Sequence, residues 1–396
     1  MPLNLSNLNA IIEAQLAAAD SNTSASSLVR LLSAIEERDI QVIKPAYYDV
    51  DDLPILDSDY TGMVLNTLGG PYVWSGTDYK LIDMDLSSIP PLPYNYIGNS
   101  FGYASGGSNP TNPTISTILE KYSFISDGNS TVVGNLFLAT EGSAGTSSLT
   151  HGYNAAGKSL PSVTRNTIQK FPFAADGAGS NVADLTVGRY DTAGATSNVS
   201  GYTVGGQQSG NVLDKFPFAA DGNATDVGDL IVSKFRNATV QSRENGYTAG
   251  GGTPYPGMTA IQRFSFTSDG NSVYSGGNTT IQYGRFRFAG VSSFTDGYFT
   301  GGQIGLPSST SNVIDKFPFA ADGIVVDHGD LVGLMQSHSA TSASAYGYVA
   351  GGYITPFIST NHIQKFQYAA LSNAVSVGQL AASNGGSRTN VTGQQV

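Results

Sequence analysis

Apolar residues recur at helical spacing only near the beginning of the chain. Seven of them follow one another at intervals of three or four residues, in two stretches that the polar run 20–24 separates: Leu5, Leu8, Ile12, Leu16, Leu28, Leu31 and Ile35. Because this spacing places apolar side chains on one face of a helix, residues 5–38 predict a hairpin of two amphipathic helices. Two short helices cannot bury both apolar faces by themselves. The hairpin is expected either to pack on its own domain or, as we favour, to dock and oligomerise.

Over residues 50–89 the pattern changes to short apolar runs between glycine turns. The runs 63–66, 71–74 and 79–82 have the length of strands and predict a small β-meander. Trp74, the single tryptophan, is expected to be buried in it. The proline-rich run 89–93 removes backbone donors and stiffens the chain, which is typical of a linker. The expected domains are a helical segment at 1–45, the meander and linker at 46–93, and a large domain at 94–396.

The large domain repeats one pattern six times. A Gly-Tyr pair recurs every 45 to 51 residues, at Tyr103, Tyr153, Tyr202, Tyr247, Tyr298 and Tyr348. A variable loop follows each pair, then a cation with alternating aromatic residues, as in the run 215–218, and in five copies an Asp-Gly turn. Alternation and turn chemistry predict four strands per repeat, and a period near fifty residues indicates a mainly β fold of the propeller type.

The last repeat shows how the strands are expected to lie. Its four strands are predicted at 341–345, 347–350, 362–368 and 375–380. The segment 387–392 resembles the run 196–200 of an earlier repeat and is expected to complete a ring of six sheets. Closing the ring removes the exposed edges that an open sheet would present.

Charge and composition limit the function. The net charge of -11 and a pI near 4.7 argue against a nucleic-acid partner, because binding a phosphate backbone needs clustered Lys and Arg. The absence of cysteine excludes disulfides and Cys-zinc sites. No apolar stretch is long enough to predict a membrane span, and the first residues lack the pattern of a cleaved leader.

Catalytic chemistry finds little support in the sequence. The four histidines, His151, His328, His338 and His362, form no catalytic motif and are expected in solvated loops. Glu120, Glu141 and Glu244 stand in no recognisable setting. Propellers can assemble carboxylate pairs from different repeats, so a hydrolase stays open as a less favoured alternative.

The Asp-Gly turns raise the question of a metal. Asp221, Asn223, Asp226 and Asp229 gather oxygen ligands that could hold calcium, the one cofactor that the sequence suggests. The spacing is not that of an EF-hand, and other copies lack the acids. Asp-Gly is strong hairpin chemistry, so we favour a turn without a cofactor over a calcium site.

Variation is concentrated between the second and third predicted strands. These loops are expected to share one end of the domain with the connections between repeats, opposite the uniform Asp-Gly turns. Aromatic and apolar residues stiffened by proline are typical of binding surfaces. The receptor-binding candidates are therefore Tyr255, Pro256, Leu306, Tyr353 and Phe357. The alternative is that these loops vary only because they tolerate change.

The repeat resembles the kelch family of β-propellers over roughly residues 95–396. A hydroxyl-rich first strand, an aromatic second strand leading into Gly-Gly, an aromatic third strand and a polar loop carry the likeness. The chain departs from the family where Gly-Asp-Leu, as at 228–230, replaces the usual tryptophan of the fourth strand. The resemblance implies a six-bladed kelch-like β-propeller, here preceded by the helical hairpin and the meander.

Three copies of Lys-Phe-Pro-Phe-Ala-Ala-Asp-Gly, starting at 170, 215 and 316, are similar to repeats in virion proteins of marine bacteriophages, particularly predicted tail fibres of cyanophages. The N-terminal helices and the run 72–77 resemble segments that precede fibre domains in such proteins.

The resemblance implies a virion protein, located in the tail, that attaches through the seven N-terminal apolar residues to other tail or capsid proteins. It implies a homotrimer whose propeller loops bind an envelope glycan or an outer-membrane protein of the host. Alternatives are a capsid or tail decoration that contacts other virion subunits and, third, a propeller-type glycan depolymerase.

Overall fold

The computed structural model describes residues 98–109, 114–252, 258–277, 279–304, 309–320, 323–354, 358–381 and 392–395, and the backbone of three strands nearer the N-terminus. The chain divides into two compact units, Met1–Pro91 and Leu92–Val396. The seven N-terminal docking candidates lie outside the described residues, so the predicted hairpin stays a prediction.

In the first unit, three antiparallel strands form one sheet in chain order: Val64–Thr67, Gly70–Trp74 and Tyr79–Leu81. Every strand end agrees with the predicted meander to within one residue. Alternating apolar residues and the intervening glycine turns account for this arrangement.

The second unit is mainly β and contains six four-stranded antiparallel sheets within the described residues. In each sheet a first strand pairs with a second, the second with a third, and the third with a fourth. We number the sheets one to six by the order of their second strands. The strands are: in sheet one Thr392–Gln395, Phe101–Ser105, Ile118–Ser123 and Thr131–Asn135; in sheet two Ala144–Ser147, His151–Ala155, Thr167–Pro172 and Ser180–Asp184; in sheet three Ala193–Thr196, Ser200–Val204, Val212–Pro217 and Thr225–Asp229; in sheet four Ala238–Gln241, Asn245–Ala249, Gln262–Ser265 and Val273–Tyr274; in sheet five Ala289–Ser292, Asp296–Ile304, Ser309–Pro318 and Val326–Asp330; in sheet six Ser339–Ser342, Tyr346–Ala350, His362–Gln367 and Val375–Gln379.

Shorter pairings lie in the loops, between Ser108–Asn109 and Thr114–Ile115, between Lys158–Ser159 and Val163–Thr164, and among Met335–Gln336, Tyr353–Ile354 and Ile358–Ser359. A short 3-10 turn spans Ser275–Gly277. Within the part of the chain that the structure describes, no helix has the length and apolar character needed to cross a membrane.

Three of the four strands predicted for the last repeat match those of sheet six to within one residue, whereas the first, predicted at 341–345, is Ser339–Ser342. Proline at the end of the third strand also has a simple explanation. Pro172, Pro217 and Pro318 are the last residues of their strands and pair with the first residue of the second strand. The missing N–H of proline therefore costs the ladder little.

The first strand of sheet one comes from the C-terminus. Thr392–Gln395 pairs antiparallel with Phe101–Ser105, with Gln394 opposite Tyr103. This strand therefore lies a few residues beyond the segment 387–392 that was predicted to complete the ring. The Gln394 amide explains this register, because it donates to the Tyr153 carbonyl at 3.0 Å and to Ser105 Oγ at 3.1 Å. From sheet two to sheet six, each first strand contacts the first strand of the next sheet. The first strand of sheet one contacts those of sheets six and two.

The Gly-Tyr pairs join each sheet to the next. Every Gly-Tyr tyrosine contacts the two aromatic rings of the third strand and following turn in the next sheet, with ring centroids 4.7 to 5.9 Å apart. Tyr348 of sheet six makes this contact with Tyr122 and Phe124 of sheet one. The preceding glycine is required in five sheets, because a Cβ there would overlap the aromatic ring of the third strand in the same sheet: Gly102, Gly152, Gly201, Gly246 and Gly347.

The Asp-Gly turns also carry contacts between sheets, which the turn interpretation did not include. A third-strand lysine pairs with the turn aspartate of the next sheet at 2.5 to 2.9 Å in four places: Lys121–Asp176, Lys170–Asp221, Lys215–Asp269 and Lys365–Asp127. Sheet six has Leu371 at the turn position, and Lys316 pairs instead with Asp296 of its own sheet. These pairs are partly exposed, so each contributes about 0–1 kcal/mol and mainly fixes the position of the turn.

Buried cations link the connections to the sheets that follow them. Arg189 precedes sheet three and pairs at 3.1 Å with Asp214 on its third strand. Arg285 precedes sheet five and pairs in the same way with Asp315. At the equivalent places Lys234 faces the main-chain carbonyls of Gly250 and Ala260, at 2.9 and 3.3 Å. In the remaining described cases, Thr140 and Met335 stand where the cation would be, and the third-strand residues are Gln169 and Gln364. The buried aspartates of sheets three and five thus each face an arginine, which offsets the cost of desolvating a lone carboxylate.

Close approach of neighbouring first strands gives a test of the packing. A Cβ on Gly194 would overlap the carbonyl oxygen of Gly145 in sheet two, whereas a Cβ on Gly333 would meet no atom within 4 Å. We expect Gly194→Ala to lower the free energy of unfolding by about 1–3 kcal/mol, because backbone atoms must shift. Gly333→Ala is the matched control and should have almost no effect. Urea unfolding of both variants checks this; equal stabilities would contradict the packing described.

Candidate functional site

The variable loops lie beside the connections between sheets. Backbone pairing joins Glu141 to Lys158, Tyr190 to Gln207, Phe286 to Gln303 and Gln336 to Tyr353. In each pair the first residue belongs to a connection that precedes a first strand. The second residue follows a second strand or, in the case of Gln303, lies near its end. Loops and connections therefore share one end of these sheets, which we call the loop end. The turns between first and second strands and the Asp-Gly turns lie at the other end, the turn end.

One of the five receptor-binding candidates is described. Tyr353 lies in the short strand Tyr353–Ile354 at the loop end and is partly exposed. Tyr255, Pro256, Leu306 and Phe357 lie outside the described residues, so their role stays a prediction.

Five connections at the loop end share an unusual backbone conformation. Gly142, Asp191, Arg236, Arg287 and Ser337 all have φ between 54° and 65°, the left-handed region that non-glycine residues seldom adopt. Main-chain hydrogen bonds link them in sequence. The Thr192 N–H donates to the Gly142 carbonyl at 3.2 Å, and the Arg236 N–H donates to the Asp191 carbonyl at 2.8 Å. The Arg287 N–H donates to the Arg236 carbonyl at 3.0 Å, and the Ser337 N–H to the Arg287 carbonyl at 2.7 Å. The connections thus follow one another as a continuous rim, and strained residues of this kind are concentrated at functional sites.

A cavity open to solvent lies against this rim. It has about 420 Å³ of unfilled space including its mouth, and its lining includes Asp191, Arg236, Asn237, Arg287 and His338. Arg236 Nε donates to Asp191 Oδ2 at 2.8 Å, and Gln207 Nε2 donates to the same oxygen at 3.3 Å. This cavity, which we call the rim cavity, is the candidate functional site.

In the rim cavity, the positive charge of Arg287 is not balanced by an ion pair with the described residues. Its guanidinium makes no hydrogen bond or ion pair with the described residues, although Asp191, Tyr353 and Glu141 act on it electrostatically. Burial, and then the charge of Arg236, lower its pKa, because both disfavour a second cation at this place. The sequence candidate Tyr353 lies near the cavity, because it pairs with Gln336, the neighbour of the cavity residue Ser337.

Three buried polar residues of the rim cavity also have atoms without a hydrogen-bond partner. These atoms are Asn237 Oδ1, Ser337 Oγ and His338 Nδ1, and their residues are only 5–6% exposed. The other ring nitrogen of His338 contacts the Thr300 carbonyl at 3.1 Å, and burial lowers the pKa of the ring to about 3. The ring is therefore neutral near pH 7. With Nε2–H donating to Thr300, His338 Nδ1 is left as an acceptor.

The expectation that the histidines lie in solvated loops is wrong for two of the four. His338 is buried as described, and His328 is 2% exposed, with Nε2 2.7 Å from the Gln367 carbonyl and its ring against Tyr298 and Phe366. Both rings fill places between neighbouring sheets, which a single repeat cannot reveal. His151 is partly buried and His362 is exposed.

A second cavity is lined by the first strands of all six sheets. Its walls are glycine, alanine and small polar residues, among them Thr146, Thr196, Gln241, Ser292 and Gln395. None of its lining residues is charged or a histidine. The lining offers hydroxyl and amide groups but no acid or base.

The suggested calcium ligands are used separately. Asp221 pairs with Lys170, Asn223 Oδ1 accepts the Asp184 N–H at 3.0 Å, and Asp229 Oδ1 accepts Asn211 Nδ2 at 2.8 Å. Asp226 Oδ1 accepts the Gly228 N–H at 3.1 Å. No group of three or more acidic, histidine or cysteine side chains in the described part of the chain is arranged to hold a metal.

The carboxylates considered for hydrolysis are not brought together. Glu120 is buried and accepts Ser130 Oγ at 3.1 Å. Glu141 lies 4.0 Å from Lys158, and Glu244 is exposed in a turn at the opposite end.

Sequence reasoning missed the rim cavity. The rim residues, two places before five of the first strands, are Gly, Asp, Arg, Arg and Ser, and their neighbours vary as well, so the sequence carried no clear signal. No protein-family model matches the chain, and a comparison with curated proteins finds no significant match.

Proposed function

We propose that the six sheets form a closed six-bladed β-propeller of kelch-like type. The contacts of sheet six with sheet one support this proposal, because they are of the same kinds as those between other neighbouring sheets. Lys365 pairs with Asp127, the Gly128 N–H donates to the Val377 carbonyl at 2.9 Å, and the Ser130 N–H donates to the Gln379 carbonyl at 2.9 Å. The cavity lined by all six first strands lies where a propeller has its central channel.

The function that this geometry supports best is binding at the loop end. The observation that carries it is the rim cavity, where strained connections bring unbalanced charge and unpartnered polar groups to the end that also holds the variable loops. The buried carboxylates of Asp214 and Asp315 are engaged in structural pairs with Arg189 and Arg285. This distribution favours a binding protein over a hydrolase, and the depolymerase stays the third hypothesis.

The particular role that we propose is that of a phage virion appendage, a tail fibre whose loop end binds the host surface. The similarity of the repeats to cyanophage fibre proteins is its support, together with the unpartnered apolar stripes predicted for residues 5–38. In this proposal the N-terminal segment docks on a tail or capsid protein and trimerises the chain. The partner on the host is an envelope glycan or an outer-membrane protein, and nucleic acid is not a partner of so acidic a chain.

Exposed apolar side chains at the turn end favour a second candidate function. Ile125, Ile324 and Leu371 are 75–83% exposed in the turns between third and fourth strands. Apolar residues so exposed in neighbouring repeats could contact other virion subunits. That arrangement fits a capsid or tail decoration protein.

Adsorption to whole cells tests the proposed role. The purified chain, fluorescently labelled, would be incubated with a panel of cyanobacterial strains. Tyr353→Ala is expected to weaken adsorption about tenfold, because an aromatic contact residue is removed from the loop end. Phe294→Ala, an aromatic truncation at the turn end, is the matched control and should leave adsorption unchanged. Loss of adsorption through Phe294→Ala but not Tyr353→Ala would contradict binding by the loop end.

A further inference from the structure

The rim cavity has a charge that indicates a ligand of single negative charge. Two guanidinium groups, those of Arg236 and Arg287, face one carboxylate, that of Asp191. The nearby Glu141 lies beside Lys158, which offsets it. The local excess is therefore about one positive charge, on a chain whose total charge is -11. A monoanion balances this excess, whereas a dianion would leave uncompensated charge in a partly buried place.

The unpartnered polar atoms indicate that the ligand also carries hydroxyl groups. Asn237 Oδ1 and His338 Nδ1 are acceptors, and Ser337 Oγ both donates and accepts. Asp191 Oδ1 is a further acceptor, since the contacts of this carboxylate with Arg236 and Gln207 use Oδ2. Acceptors repel the oxygens of phosphate or sulfate but bind hydroxyl donors. Buried polar atoms without partners are costly, so a ligand that supplies donors there gains affinity.

We propose that the rim cavity binds an acidic sugar, with the sugar carboxylate on the Arg287 guanidinium and sugar hydroxyls on Asn237, Ser337 and His338. This inference deepens the proposed function and rests on it for the biological source of the sugar, a glycan of the host envelope. Arginine suits the carboxylate because its planar donors can form two parallel hydrogen bonds. The shallow, open cavity suits one sugar residue at the end or along the side of a glycan.

Titration calorimetry of the full chain with D-glucuronate tests the proposal. Glucuronate carries both the carboxylate and the hydroxyls, whereas acetate carries only the first and D-glucose only the second. We expect glucuronate to bind at least tenfold more tightly than either. Arg287→Gln should weaken glucuronate binding about tenfold or more, because a charge-assisted hydrogen bond is lost. Ser337→Ala should weaken it less.

Arg243→Gln is the matched control, since Arg243 lies in the turn between the first and second strands of sheet four, at the turn end. It removes the same charge from the chain and should leave glucuronate binding unchanged. Equal weakening by Arg287→Gln and Arg243→Gln would show a general charge effect and overturn the proposal. Inorganic phosphate binding as tightly as glucuronate would also overturn it, because the cavity would then be a general anion site.

The sugar site and the host-binding role can fail separately. If cells adsorb the chain but glucuronate does not bind, the acidic-sugar site is overturned and binding by the loop end stands. If glucuronate binds through Arg287 but no strain adsorbs the chain, the site stands and the host-binding role falls. An oligomer of uronic acid, titrated in parallel, distinguishes a glycan from a free sugar: binding of the monomer with exclusion of the oligomer would overturn the glycan source.

Discussion

Removal of residues 392–396 is expected to abolish the cooperative unfolding transition of the repeat unit. Thr392–Gln395 is the first strand of sheet one, and its loss would leave Phe101–Ser105 unpaired on one side. The same strand contacts the first strands of sheets two and six. Losing its ladder and side-chain hydrogen bonds, at about 1 kcal/mol each, costs about 5 kcal/mol or more, a large share of the 5–15 kcal/mol that stabilises a typical domain.

The point substitution Gln394→Ala isolates the side-chain part of this effect. Gln394 is 1% exposed and donates to the Tyr153 carbonyl and to Ser105 Oγ. We expect Gln394→Ala to lower the free energy of unfolding by about 1–3 kcal/mol, because buried partners are left unsatisfied. Gln379→Ala, on the exposed fourth strand of sheet six, is the matched control and should have little effect.

Circular dichroism during urea unfolding measures all three proteins. A truncated chain with a transition as steep and as late as that of the full chain would show that the C-terminal strand is dispensable. That result would contradict the proposed closure of the sheets into a ring.

Much of the fold could be predicted because the same pattern of apolar and turn residues occurs in six copies. Alternating apolar residues gave the strands, and Gly-Tyr marked the second strand of every sheet. The reason for the glycine could not be read from the sequence, since it depends on an aromatic ring of the neighbouring strand, such as Phe171 over Gly152. The partner of each tyrosine likewise lies one repeat further along the chain.

The strand that pairs with Phe101–Ser105 was predicted a few residues too early, because the C-terminal segment has no repeat signature of its own. Residues 387–392 resemble a first-strand hairpin in composition, but pairing depends on the buried amide of Gln394, which only the assembled sheets reveal. The Asp-Gly turns were interpreted as turns alone for a similar reason. Their salt bridges join Lys170 to Asp221 and equivalent pairs across two repeats, so no single copy contains both partners.

The rim cavity lay beyond prediction from the sequence. Its residues, Asp191, Arg236, Arg287 and Ser337, are some fifty residues apart and occupy a position at which each repeat has a different side chain. Only the left-handed connections bring them to one rim. Loop aromatics were the stronger sequence signal, and of these Tyr353 lies near the cavity because it pairs with Gln336, next to Ser337.

Arg285→Met is expected to destabilise the protein by about 3–5 kcal/mol near neutral pH, because it leaves the Asp315 carboxylate buried and unpaired. Arg285 and Asp315 are at most 1% exposed, and Arg285 also donates to the carbonyls of Gly301 and Val313 at 2.9 and 3.2 Å. The double variant Arg285→Met with Asp315→Gln should recover most of the loss. It reproduces the neutral pair that sheet six uses, where Gln364 Nε2 lies 3.7 Å from Met335 Sδ.

The pH dependence of the free energy of unfolding distinguishes the effect of an unpaired buried charge from the effect of lost packing. Burial raises the pKa of Asp315 even with Arg285 present, and without the arginine the pKa rises further. The folded single variant then holds the proton to higher pH than the unfolded chain does, so its free energy of unfolding falls as pH rises above about 4. We expect the gap in urea unfolding between the single and double variants to be widest near pH 7 and to narrow towards pH 4.

Lys234→Met provides the comparison for loss of a buried cation alone. Lys234 donates to two main-chain carbonyls, and burial lowers its pKa to about 7. Its replacement leaves no carboxylate unpaired. The free energy of unfolding at neutral pH should therefore fall by about 1–2 kcal/mol, less than for Arg285→Met. A gap between the single and double Arg285 variants that stayed constant from pH 4 to pH 7 would mean that packing, and not the buried acid, requires the arginine. The pairing of buried Arg with Asp in sheets three and five, and of neutral residues with Gln in sheets two and six, would then have no electrostatic cause.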